Sequence, residues 1–218
     1  LSSRLDEGIN DLYSKFYIFG NIYMFIIGII AANHVLPYFV KLGVTRKDSF
    51  IGIVTGTIAL AVTITVTTLL LNGVTNAFLN WLNIPIKHAQ LSDIGTDPDA
   101  PFFVNIILNI VGPPVIEGIN FASVILFTLN LLFYYVMGLL IGSAFYRFVS
   151  IVGLLYIVLA VFLFVFNASI WGKPLPGVTL IPDLTGISYA ASFAGTIVLL
   201  IAALLIIRFT TKDVRIKL

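Results

Sequence analysis

The sequence predicts an all-α protein, a polytopic membrane helix bundle with five visible spans, and three observations carry that prediction. The chain is 59% hydrophobic and 10% charged with a mean hydropathy of +1.07, more apolar surface than a soluble core can hide. Its apolar residues gather into five long runs, at about 16–40, 51–71, 121–145, 149–166 and 187–207. Those runs contain no Asp, Glu, Lys or Arg, and the charges collect at their ends. The formal charge of +2 is small and dispersed, which argues against nucleic-acid binding. With no cysteine, disulfides, thiolate nucleophiles and cysteine metal sites are excluded, and His34 and His88 are too few for a histidine metal cluster.

Residues 1–15 carry mixed charge (Arg4, Asp6, Glu7, Asp11, Lys15) and read as a short extramembrane segment. The first run holds Asn21, Asn33, His34 and Pro37, polar groups that are costly in lipid and are expected to face other helices or water. The second is rich in threonine, whose hydroxyls can bond back to carbonyls of their own helix, and it carries Gly52 and Gly56 as a small-xxx-small pair. Residues 72–120 read as an outer region. There Trp81 suits the headgroup level, 102–111 is too short to span and resembles a broken or re-entrant half-helix, and Asp93, Asp97 and Asp99 form a solvated acidic loop without the spacing of a calcium site. The third run contains Asn130, Tyr134, Tyr135 and a second small-xxx-small pair, Gly138 and Gly142. A very short turn at Arg147 leads to the fourth run, and the fifth ends in a basic tail.

Sidedness follows from the basic residues, which resist translocation. Loops expected inside carry Lys41, Arg46, Lys47, Arg147, Arg208, Lys212, Arg215 and Lys217, against Lys87 and Lys173 outside. The C-terminus is therefore expected in the cytoplasm. Five spans then put the start of the sequence outside, and the expectation is one further N-terminal span upstream of it.

Most of the specific chemistry lies between the first two runs. Gly43 fits a helix C-cap, and Thr45 with Asp48 three residues on fits a capping box, giving helix, tight break and new helix. The phrase Leu42-Gly43-Val44-Thr45-Arg46-Lys47-Asp48 resembles the short basic turn of the permease subunit of ABC-2 type (type V) ABC exporters. The family's six-span unit, broken outer segment and basic tail are also similar to this chain. Family members commonly carry re-entrant outer helices between the last two spans, whereas here the larger outer region follows the second visible run. The resemblance implies a cytoplasmic coupling helix at 45–51, with Leu42, Gly43, Val44, Thr45, Arg46, Lys47, Asp48 and Phe50 contacting a separate ATP-binding subunit. It further implies a second permease copy, identical or related, and a bacterial plasma membrane as the location.

The sequence has no Gly-x-x-x-x-Gly-Lys-Ser/Thr phosphate loop, so the chain is expected not to be an enzyme, with ATP and Mg on the partner subunit. Asn21, Asn33, His34, Asn130, Tyr134 and Tyr135 are the candidates to line a pathway or a helix interface. A route of Asn, Thr, Tyr and Phe suits an amphipathic or hydrophobic cargo, such as an antimicrobial or toxin peptide, a drug or a lipid-like molecule. Two alternatives stay open: a secondary transporter, and a toxin-binding immunity protein that does not transport.

Overall fold

The computed structural model describes residues 12–82, 121–148, 150–172 and 188–212. The expected half-helix at 102–111, the aspartate cluster, Glu117, the loop at 173–187 and the end of the basic tail lie outside the described residues, as does the side chain of Arg46. The described chain is an all-α polytopic bundle without strands. Helix α1 (Leu12–Ile30) passes through a π-helical turn (Ala31–Val35) into α2 (Leu36–Lys41), and α3 (Arg46–Trp81), α4 (Phe121–Arg147), α5 (Ser150–Ile170) and α6 (Tyr189–Lys212) follow. Among the described residues, five helices are long and apolar enough to cross a membrane.

Helix α4 is the axis of the bundle. About 67% of its most apolar window is buried, against 22–33% for the other four spans, so the others pack around it and turn their remaining apolar faces outward. Outward residues such as Phe19, Leu70, Val74 and Ile151 are suited to lipid. Association in a bilayer depends on close packing rather than on exclusion of water, and small residues make that packing possible. Where α1 crosses α4, a Cβ on Gly142 would lie 2.7 Å from the Ala32 Cβ and 2.9 Å from the Ile29 carbonyl oxygen. Thus the pair Gly138 and Gly142 serves a helix–helix contact. The pair Gly52 and Gly56 does not, since a Cβ at either position meets nothing within 4 Å.

Polar side chains inside the bundle are paired in ways that tie helices together. Asn130 Nδ2 donates to the Tyr17 hydroxyl between α4 and α1. On α3, Thr57, Thr63, Thr65, Thr67 and Thr68 donate to carbonyls four residues back, at 2.7–2.9 Å. The threonine-rich run is thereby helical and satisfied, and Thr65 also meets Thr128 of α4 at 3.0 Å. At one end of the bundle Trp171 Nε1 donates to Thr196 and Thr196 donates to Asn167 Oδ1, at 3.0 and 2.9 Å, joining α5 to α6. At the other, Arg147 donates to the carbonyl of Phe209 at 3.0 Å and to that of Thr210, satisfying carbonyls that the last turn of α6 leaves without helical partners.

Two boundaries depart from the sequence reading. Helix α3 does not stop at residue 71 but runs 36 residues to Trp81, about 54 Å at the rise of an α-helix. Asn72 and Gly73 only lower helix propensity, by about 1 kcal/mol for a glycine, and neither lacks a backbone N–H, so the ladder continues through them. For the same reason the expected coupling helix at 45–51 is not a separate element but the first two turns of α3. The second departure is the π-helical turn. Pro37 has no N–H to give to the carbonyl four residues earlier, and the wider turn lies directly upstream of it. Asn33 Nδ2 donates to the Ile29 carbonyl at 3.0 Å within the same turn.

Candidate functional site at the basic turn

The break between α2 and α3 is built as its sequence foretold. Gly43 adopts φ +85°, a left-handed conformation that glycine takes without the clash a Cβ would bring. The Val44 N–H donates to the Phe39 carbonyl at 3.1 Å, the longer of the two bonds that define a Schellman cap. Thr45 is the N-cap of α3: the Asp48 N–H donates to its Oγ1 at 3.2 Å, while its hydroxyl donates to Asp48 Oδ2 at 2.5 Å. Both helices therefore end in hydrogen-bonded caps within four residues of each other, which makes the turn a defined projection.

Its surface is amphipathic. Lys41, Thr45, Lys47 and Asp48 are exposed, and Leu42 presents an apolar side chain that is 63% exposed. Phe50, one of the residues expected to contact an ATP-binding subunit, is half-buried against the core, and the Arg208 guanidinium lies 5.7 Å above its ring. That contact ties the start of α3 to the end of α6, so Leu42 takes over as the protruding apolar group. Because the helices alternate in direction, the turn, Arg147 and Arg208 share one end of the bundle.

Behind the turn, a cavity of about 560 Å³ lies between α1 and α3. Ile27, Ile30 and Val35 form one wall, Ile53 and Leu60 the other, and Tyr135 of α4 contributes from the centre of the bundle. Its polar groups are Asp48, Ser49, Thr57 and Tyr135, of which Thr57 and Tyr135 are hydrogen-bonded to each other. Gly52 and Gly56 form an exposed rim. Ser49 is 4% exposed, and its hydroxyl has no hydrogen-bond partner among the described residues, an arrangement that costs about 1–3 kcal/mol when left unmet.

The expected pathway residues do not converge on one route. Asn21 is fully buried, and Asn130 is engaged with Tyr17. Tyr134 stands in an aromatic cluster with Phe133 and Phe164, their centroids 4.9–6.4 Å apart, so it packs the bundle. Asn33 bonds to its own helix, and His34 faces outward from the π-helical turn. Only Tyr135 of that set reaches the cavity. Sequence reasoning missed Ser49 and the π-helical turn; Pro37 following Asn33 was the available signal for the latter. Among the described residues no group of three or more His, Asp or Glu side chains could hold a metal ion.

Fold and site together define a multi-pass α-helical membrane protein with a capped basic turn. No family model matches the chain, and neither the curated proteins nor the solved structures provide a significant match.

Proposed function

We propose that the chain is the membrane-spanning permease subunit of an ATP-driven exporter of the ABC-2 type. The observation that carries this reading is the turn: two hydrogen-bonded caps hold an exposed Leu42 between exposed lysines, and the turn is continuous with a 36-residue helix that runs the length of the bundle. A partner that grips the turn would move α3 as a rod, because a capped helix transmits displacement along its axis with little bending. The partner is a cytoplasmic ATP-binding subunit that supplies ATP and Mg. Leu42 and Val44 provide its apolar contact, and Arg46, Lys47 and Asp48 the polar ones. A second permease copy completes the pathway, and the basic end, including the C-terminus, lies in the cytoplasm of a bacterial cell. Nucleotide biases the assembly between inward- and outward-open states. The cargo is an amphipathic or hydrophobic molecule, in keeping with apolar runs free of Asp, Glu, Lys and Arg.

The test is purification from the native membrane in mild detergent, comparing wild type with the Arg46→Glu/Lys47→Glu double variant. Stoichiometric recovery of an ATP-binding subunit that the double variant loses is the expected result. Recovery of the chain alone, under conditions that keep known complexes intact, would overturn the reading.

A further inference from the structure

Helix α3 is longer than the bundle it belongs to, and the excess lies at one end. Tyr135 and Thr128 of α4 are hydrogen-bonded to Thr57 and Thr65 of α3, so the two helices run antiparallel in a fixed register. In that register Arg147, the last residue of α4, is level with the first turn of α3, and Phe121, its first, is level with Asn72. Residues 73–81 of α3, roughly 14 Å, therefore project past the start of α4. A hydrocarbon core of about 30 Å is crossed by about 20 helical residues, or about 26 at a tilt of 40°. Counted from the charged end at Lys47, α3 has thus left the hydrocarbon by about residue 73. Yet the projecting part stays apolar, with Val74, Phe78 and Trp81 67%, 56% and 76% exposed. From Ser49 to Trp81 the helix carries no Asp, Glu, Lys or Arg.

The two sides of α3 differ in a regular way. Ala61, Thr65, Thr68 and Leu79 are buried. On the opposite side Thr63, Thr67, Leu70, Val74, Ala77 and Trp81 are all exposed, at alternating steps of four and three residues. We propose that this seam pairs with the same seam of a second copy of the chain, the two α3 helices lying parallel about a two-fold axis along the membrane normal. Alternating steps of four and three repeat every 3.5 residues, the spacing that keeps one face of a helix against a partner helix along its length. Copies of a membrane protein share one orientation, so such an axis brings the same face of α3 to itself in parallel. Each residue then meets its own counterpart, which any charge would oppose, and the seam has none. The hydroxyls of Thr63 and Thr67 donate to carbonyls of their own helix and leave nothing unmet at a close contact. By their chemistry Leu70 and Val74 suit lipid equally, but acyl chains end near about residue 73, short of Val74, Ala77 and Trp81. The proposal rests on the permease reading for the presence of a second copy, and it adds which surface joins the two.

The chain contains no cysteine, so single substitutions in the full chain, in its native membrane, report contacts without background. Under mild oxidation Val74→Cys and Ala77→Cys should give disulfide-linked dimers. Leu71→Cys and Asn80→Cys, exposed but turned about 80–100° from the seam, should give roughly tenfold less, because a bridge requires Cβ atoms within about 4.5 Å. Adding Val74→Arg to Ala77→Cys should cut the dimer roughly tenfold by setting like charges face to face, whereas adding Leu71→Arg should not. Circular dichroism establishes that each variant is folded. Equal yields at all four positions, or no dimer at either seam position, would overturn the pairing. In the second case maleimides applied from water and from the lipid phase identify what covers Val74→Cys: reaction only from the lipid phase means lipid, and protection from both means another polypeptide. Repeating the oxidation alongside the Arg46→Glu/Lys47→Glu purification separates the two readings. Seam dimers without recovery of any ATP-binding subunit would support the pairing and remove the permease reading, while recovery of that subunit without seam dimers would overturn the pairing alone.

Discussion

Gly28 and Gly138 lie where α1 crosses α4, each leaving free the space the other helix's backbone needs. A Cβ on Gly28 would run into the Tyr135 carbonyl oxygen, and one on Gly138 into that of Phe25. Neither backbone can yield cheaply, because both are held in helical ladders. Gly138→Ala is therefore expected to destabilise the bundle by at least about 1–3 kcal/mol through overpacking. Gly56→Ala, in open space on α3, is expected to be neutral or stabilising by up to about 1 kcal/mol, since alanine is the better helix former. Unfolding in mixed micelles with increasing denaturing detergent compares the two, and an equal loss in both would refute the packing argument.

The turn between α2 and α3 makes a second prediction. Thr45→Ala removes the acceptor for the Asp48 N–H and the donor to its carboxylate, and should cost about 0.5–2 kcal/mol of local helix stability. Amide hydrogen exchange should quicken at residues 46–49 while the middle of α3 is unaffected. Thr45→Ser should restore most of the protection because it keeps the hydroxyl. If Thr45→Ala leaves exchange in the first turn unchanged, the cap does not hold it.

Arg147 joins the end of α4 to the end of α6. Substitution by Gln keeps a donor but loses the charge and the fork that reaches the carbonyls of both Phe209 and Thr210, so the last turn of α6 should fray. A loss of about 1.5–3 kcal/mol is expected for a hydrogen bond to a charged group. Arg147→Lys should recover only part of it, because a single ammonium lacks the planar fork. Exchange rates at residues 207–211 report the effect.

At the opposite end, Thr196 both accepts from Trp171 and donates to Asn167. Thr196→Val preserves shape but leaves the buried Asn167 oxygen and the indole N–H without this partner, at an expected cost of about 1–3 kcal/mol. Thr196→Ser should be much milder. Trp171 fluorescence during unfolding gives the measurement, and equal stability of the Val and Ser variants would show that the network contributes nothing.

How far the sequence led can be seen at particular residues. The four-residue spacing of Gly52 and Gly56 is the same as that of Gly138 and Gly142, and nothing in either pattern says which pair meets another helix. Periodicity places residues on one face of one helix, whereas contact depends on where the next helix lies. The caps at Gly43 and Thr45 were legible because they are settled by bonds within a few residues. The contact between Phe50 and Arg208 was not legible, because the two are distant in sequence and Arg208 arrives only with the return of α6.

By itself the sequence determined that this is an all-α membrane protein of five visible spans, and where its helices break around the basic turn. Those properties depend on apolar run length, charge placement and local hydrogen bonding. Only the tertiary structure decided that α4 is the central helix, that Tyr134 packs while Tyr135 lines a cavity, and that the hydroxyl of Ser49 is buried. Each of these depends on contacts between residues far apart in the chain, and such contacts exist only once the helices have packed.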